Sequence, residues 1–186
     1  MRKLTILRVA AFAVAAVAFA GARAEAALIT LNPSSQSASV NDLVNVDIMV
    51  SGLTAAEAVG GVSLNLSFNP AILSGVSYAN DPDSKMGLSQ CEAEAVGDPF
   101  EPTCEFSFGY NGGAGSPLDL FFLANDELDA VALKALQGAS FRLATVTFMA
   151  IGPGLSQLVL STLGDYLSNS DGLTAIPAQA INGEVS

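Results

Sequence analysis

Val44 to Phe68 reads VNVDIMVSGLTAAEAVGGVSLNLSF, and this stretch decides the fold. Val44, Val46, Ile48 and Val50 fall on one side of an extended chain, with Asn45, Asp47 and Met49 on the other. Val62, Leu64, Leu66 and Phe68 repeat the arrangement against Ser63, Asn65 and Ser67. Side chains alternate in this way only along a strand, because successive Cβ atoms point to opposite faces of a sheet. A helix would scatter the apolar positions around its circumference, and Ser51-Gly52 and Gly60-Gly61 would weaken its interior by about 1 kcal/mol per glycine. The reading is a central pair of half-buried antiparallel strands joined by a turn rich in Ser, Gly and Ala.

Working outward, the chain has 186 residues, 51% of them hydrophobic, with 17 Gly, no His, no Trp and two Cys. That length supports one domain with a substantial core. At the start, Arg2, Lys3 and Arg8 precede the apolar run Val9 to Ala20, and Ala24-Glu25-Ala26 then supplies small residues for a peptidase. Residues 1–26 therefore read as a signal peptide cleaved after Ala26, and 27–186 as the mature domain. The apolar run is too short for a span, which needs about 20 residues, so no membrane span is expected after cleavage. The expected location is secreted or periplasmic.

Removing four basic residues and one acidic residue from totals of 7 and 18 leaves three and seventeen, a formal charge of −14. Lys85, Lys134 and Arg142 cannot form a basic stripe, so nucleic acid is excluded as a partner. Acidity of this kind is explained by solubility after export.

Leu28 to Leu31 reads as a first strand ended by Asn32-Pro33, since proline has no amide hydrogen for a ladder. Gln36 to Val40 reads as the next extended piece, followed by an Asn41-Asp42 turn, and Ile72 to Tyr78 as a strand beyond Asn69-Pro70. Residues 79–117 differ in composition: Asp81, Asp83, Glu92, Glu94, Asp98, Glu101 and Glu105 occur there with four prolines and both cysteines. This insertion reads as loop, with one strand from Thr103 to Tyr110. Leu118 to Ala124 is another apolar strand. The period then changes: Leu128, Val131, Ala132, Ala135 and Leu136 recur at helical spacing, Asn125 or Asp126 can cap, and Gly138 can stop the run. One short helix is expected over 126–137, with acidic residues in its first turn. Phe141 to Ile151 reads as a long strand with Ala144, Val146, Phe148 and Ala150 on one face. After Gly152-Pro153-Gly154, Leu155 to Ser161 is expected to return as its hairpin partner, and Ala180 to Val185 to close the fold. The sum is an all-β, two-sheet antiparallel β-sandwich with one short helix.

Residues 37–76, SASVNDLVNVDIMVSGLTAAEAVGGVSLNLSFNPAILSGV, resemble the opening of cohesin-like domains, especially those of exported Gram-negative proteins. A Val-Gly-Asp-like turn, an alternating strand, a Ser-Gly-Leu turn, a Gly-Gly pair and Leu-x-Phe-Asp-Pro follow in that order, and LATVTFMAIGPGLSQLVLS at 143–161 is similar to the family's second half. Asn41 stands where the family has Gly and Asn69 where it has Asp, and the cysteine-bearing insertion is additional. The sequence closes on Ile181-Asn-Gly-Glu-Val-Ser186 and not on the Pro-Glu-Pro sorting tail common in that exported group. The resemblance implies a jelly roll of about nine strands, in a superfamily that also holds carbohydrate-binding modules, and binding without chemistry.

Without His there is no His-based triad, no imidazole zinc ligand and no near-neutral proton shuttle. Ser63 lacks the Gly-x-Ser-x-Gly context of a nucleophile elbow. Glu101 and Glu105 are the carboxylate pair least unlike that of a glycosidase, but they read as solvated loop charges. Catalytic residues and cofactors are expected to be none. Cys91 and Cys104, the only thiols of an exported chain, are expected to form a disulfide. Asp165, Asn169 and Asp171 offer oxygen ligands of the kind calcium takes, but the EF-hand spacing fails because Leu167 stands where an acidic ligand belongs. Tyr78 and Tyr110 flank the insertion and, with Glu101 and Glu105, are the candidate partner-binding residues. The expected function is a non-catalytic module that binds another exported protein or cell-surface component. Polysaccharide binding comes second, disfavoured by the lack of Trp, and self-assembly through strand edges third.

Overall fold

The computed structural model describes residues 26–80, 85–86, 117–124, 128–161 and 167–186. Strands dominate: β1 Ala27–Asn32, β2 Ser35–Gln36, β3 Leu43–Ser51, β4 Val59–Ser67, β5 Leu73–Asn80 and β6 Leu118–Leu123 precede the helix α1, Ala130–Gln137. After it come β7 Ser140–Ala150, β8 Ser156–Ser161, β9 Leu167–Asn169, β10 Ala175–Ile176, β11 Ala178–Ile181 and β12 Gly183–Val185. The five-stranded sheet has the order β11-β1-β3-β7-β5; the seven-stranded sheet has β10-β9-β4-β8-β12-β2, with β6 also paired to β4. Two stacked sheets with one short helix are what the alternation predicts. The described strands number twelve where about nine are expected, because several carry only two or three residues. Most ladders are antiparallel, but β1–β11 and β2–β12 are parallel.

The alternating valines of β3 and the leucines of β4 all point inward: Val46, Ile48, Val50 and Leu66 are 0% exposed. The two strands are not neighbours, however. β3 lies between β1 and β7, while β4 lies in the opposite sheet. The connection is too long for a two-residue hairpin and takes the chain across the core. Leu53 is buried within it, and Glu57 closes a turn by accepting from the Thr54 N–H at 2.7 Å while its own N–H donates to the Thr54 carbonyl. Inside, Phe148 meets Phe68 edge to face with centroids 5.1 Å apart, a geometry that suits the ring quadrupoles.

The hairpin expected between Phe141–Ile151 and Leu155–Ser161 does not form. β7 pairs with β3 and β5, whereas β8 pairs with β4 and β12 in the other sheet. The Gly152-Pro153-Gly154 turn bends over the 69–72 loop: the Ile151 and Gly152 N–H groups donate to the Ile72 carbonyl, and a Cβ on Gly152 would come within 2.3 Å of the Ala71 oxygen. That contact commits the chain to cross sheets. Likewise Ala180 to Val185 is not one strand but the end of β11 and all of β12, divided at Asn182, whose side chain accepts from the Leu160 N–H at 3.0 Å. Of Gln36 to Val40, only Gln36 is in a strand.

The helix starts later than predicted. Asp129 is its cap, accepting from the Ala132 N–H at 2.8 Å, and its first turn holds no acidic residue. Asn125, Asp126 and Glu127 lie outside the described residues. Its inward face is also a different one: Leu133 and Gln137 are buried, while Val131 is 79% and Leu136 40% exposed. Gly138, at φ +63, ends it as expected, and its carbonyl accepts from Lys134 Nζ at 2.7 Å.

Candidate functional site

The sandwich presents two broad outer faces, built by the residues opposite the core positions. On β3 and β7 of the five-stranded sheet these side chains are committed to one another. Asp47 accepts from the Thr145 hydroxyl and lies 3.7 Å from Arg142, and Asn45 accepts from Thr147 at 2.9 Å.

The face of β4 and β8 differs. Asn65 is opposite Ser161, and Ser67 opposite Val159; on the other side of β4, Ser63 is opposite Phe121 and Asn65 opposite Asp119. The β4 and β8 side chains there are short and uncharged, and Val159 stands 37% exposed among them. The hydroxyls of Ser63, Ser67 and Ser161 make no hydrogen bond among the described residues. At the margin Glu184 joins the strands, accepting from Gln157 at 3.0 Å and from Ser35 at 3.3 Å. A band of small uncharged side chains around an exposed apolar residue fits an extended docking surface.

Elsewhere, a groove of about 330 Å³ lies at one end of the sandwich between Ala38–Val40, Ile72 and the 152–154 turn. No Asp, Glu, Lys or Arg side chain lines it.

The loop beyond β9 is self-contained. Asp171 Oδ1 accepts from the Leu173 and Thr174 N–H groups at 2.8 and 2.9 Å, and Oδ2 from the Thr174 hydroxyl at 2.7 Å. The Thr174 and Leu173 amides, with the Thr174 hydroxyl, hold this carboxyl below the usual carboxylate range. Asn169 Oδ1 accepts from Ser170 and Ala58. Three of the acceptor sites of the Asp171 carboxylate are thus used within its own turn, and no group of three acidic, His or Cys side chains able to hold a metal occurs among the described residues. Of the other residues singled out from sequence, Cys91, Cys104, Glu101, Glu105, Tyr110 and Asp165 lie outside the described residues. Tyr78 belongs to β5, at the edge of the five-stranded sheet and away from the β4–β8 band.

Sequence reasoning overlooked Gln137. Its side chain is 1% exposed and behaves like a neighbouring strand: Oε1 accepts from the Val59 N–H and Nε2 donates to the Val59 carbonyl, both at 2.8 Å. Nε2 also lies 3.5 Å from Met86 Sδ. The available signal was its place four residues after Leu133, on the stripe that meets the sheet.

No family model and no curated protein matches the chain. Solved structures do. A chain of the Coh-OlpA–Doc918 complex, a type I cohesin–dockerin complex from Clostridium thermocellum, aligns with a TM-score of 0.60 at 11% identity, over 87% of this chain and 98% of that one. The seventh ScaB type I cohesin from Pseudobacteroides cellulosolvens aligns at 0.59 and 14% identity, over 86% and 90%. A type II cohesin domain from the cellulosome of Acetivibrio cellulolyticus aligns at 0.54 and 14% identity, over 86% and 94%. Such identities speak to fold. With two sheets stacked on one core and this likeness over most of its length, the chain is a cohesin-like β-sandwich of jelly-roll type.

Proposed function

We propose that the chain is an exported, non-catalytic module that binds another protein on the outer face of β4 and β8. The observation that carries this reading is the outward band of Ser63, Ser67, Val159 and Ser161, small uncharged side chains lined up around an exposed valine. Interfaces of about 800 Å² per partner need such a surface. Support also comes from the fold neighbours, several of which are in complexes with dockerins. Export is supported by the basic, then apolar, then small-residue pattern of residues 1–26, and no described helix is long and apolar enough to cross a membrane.

The test is a pull-down with the mature chain from culture supernatant of its source, alongside purified type I and type II dockerins, followed by titration of whatever binds. Val159→Arg with Ser161→Arg should weaken binding at least about tenfold without lowering the melting temperature, since desolvating an added charge at the centre of an interface is costly. Asn45→Arg on the opposite face should bind as the parent does. The reverse pattern would move the site to the five-stranded sheet, and selective binding to a polysaccharide on a glycan array would replace the reading altogether.

A further inference from the structure

Near the end of the chain, the step from one sheet to the other is a single residue. β11 ends at Ile181, opposite Thr30 in the five-stranded sheet, and β12 begins at Gly183, opposite Leu158 in the seven-stranded sheet, which leaves Asn182 between them. The structure makes a separate demand on each member of the Asn182-Gly183 pair. Asn182 is exposed, but its Oδ1 accepts from the Leu160 N–H at 3.0 Å, which turns the amide toward β8. Gly183 is buried, and a Cβ there would lie 2.9 Å from the Ser34 carbonyl oxygen and 3.3 Å from Leu31 Cδ1, so a side chain would have to displace backbone. The Glu184 N–H donates to that same Ser34 oxygen at 2.9 Å and fixes the chain beyond. Asparagine is thermolabile, and most so before glycine, where no Cβ shields the following nitrogen from the side-chain amide. The fold thus requires, at its seam, the dipeptide least able to survive there once it comes loose.

We propose that Asn182-Gly183 is a self-modification site that records opening of this seam. In the closed sandwich the Asn182 amide is engaged with Leu160, and Gly183 lies in a buried, paired strand, away from the solvent base that must take its proton. When β12 comes away from β8, the Gly183 nitrogen gives up that proton and attacks Asn182 Cγ. A C–N bond forms, the Cγ–Nδ2 bond breaks, and ammonia leaves with a proton from solvent, closing a cyclic imide. Water then opens the ring at either carbonyl. Opening at Cγ leaves aspartate, whose carboxylate still accepts from the Leu160 N–H. Opening at the main-chain carbonyl leaves isoaspartate, with the chain now running through Cβ and Cγ and longer by one backbone carbon. A one-residue seam pinned at Thr30 on one side and Leu158 on the other cannot absorb that carbon, so Gly183 to Val185 lose register with β8 and β2. A chain that has stayed open long enough to react in this way is barred from closing again.

The sequence has two Asn-Gly pairs, Asn111-Gly112 and Asn182-Gly183, so the first serves as an internal clock. The purified chain, its folding verified by a cooperative melt, is held in mildly alkaline buffer with and without guanidinium chloride. Peptide mapping that separates asparagine, aspartate and isoaspartate follows the conversion. In denaturant Asn182 should react about as fast as Asn111; in native buffer it should react at least about a hundredfold more slowly than in denaturant, because it waits on local opening. The sample aged in denaturant is then diluted into native buffer and challenged with protease, and the surviving chains are mapped. They should keep aspartate at position 182 in proportion to the input, but be depleted at least about tenfold in isoaspartate there. Asn182→Asp, made genetically, should melt close to the parent. Equal rates with and without denaturant, an intact Asn182 where Asn111 has reacted, or isoaspartate chains that survive as well as aspartate ones would overturn the proposal.

Discussion

Replacing Gln137 by Leu removes the side chain that stands in for a strand beside Val59. Both Val59 backbone groups are then left in a place that is 0% exposed, with the two 2.8 Å bonds gone. An orphaned buried polar group costs about 1–3 kcal/mol, so the pair sums to roughly 2–6 kcal/mol, and about 3 kcal/mol is expected once the helix end relaxes. Domains of this size hold about 5–15 kcal/mol in all. A loss of about 3 kcal/mol should lower the melting temperature by roughly 6–12 °C. Urea unfolding followed by far-ultraviolet circular dichroism reads it directly, with an unchanged m-value showing that the unfolded state is the same. Gln137→Glu makes the argument sharper. One carboxyl oxygen can still accept from the Val59 N–H, but the other faces the Val59 carbonyl and can satisfy it only when protonated. The folded pKa of that carboxyl is therefore raised above the unfolded value of about 4.3. The deficit of the Glu variant against the parent should be smallest below that unfolded value and should grow as pH rises through the folded pKa. A Leu variant within about 0.5 kcal/mol of the parent, or a Glu variant whose deficit ignores pH, would refute the pairing of Gln137 with Val59 as a source of stability.

Two further outcomes can be checked. Gly60→Ala places a Cβ 2.4 Å from the Asn169 carbonyl oxygen and 2.7 Å from the Ser170 Cα, both backbone atoms, so β9 must shift; a loss of about 1–3 kcal/mol in urea unfolding is expected. The Asp171 carboxyl is held down by its neighbours' donors. Its contribution is therefore fully present above the unfolded value of about 3.9 and is lost as pH falls through the lower folded pKa. Amide exchange at Leu173 and Thr174 should stay slow to pH 4 and quicken only below it, Asp171→Asn should flatten that response, and millimolar calcium should leave both resonances in place.

Much of the sandwich could be read from period two alone, because one-sided burial writes itself into every second residue of β3, β4, β7 and β8. What alternation cannot say is which strand lies alongside. Val46 and Leu64 look alike in sequence, yet one sits in each sheet, and β8 leaves β7 because Gly152 rests on the Ala71 carbonyl, a contact between distant residues. The helix shows the opposite failing. Val131 and Leu136 satisfied an apolar rule but face outward, while a polar residue, Gln137, turned inward because a backbone needed partners there. The β4–β8 band gave no sequence signal either, since Ser63, Ser67 and Ser161 are ordinary outward strand residues until pairing lines them up. Asp171 was visible as an oxygen donor, but its use within its own turn was not.

Segments 27–36 and 178–185, far apart in the sequence, lie side by side. Residues 27–30 run along 178–181 in one sheet and residues 35–36 along 184–185 in the other. A chain still lacking its last ten residues has neither ladder, and β1 then has β3 alone for company. Contacts between positions about 150 apart are slow to form, because a long loop must close before they bring any reward. The sandwich thus behaves like a clasp: one side of β1 and the pairing of β2 both wait on residues 178–185, and removing that stretch would strip a ladder from each sheet together.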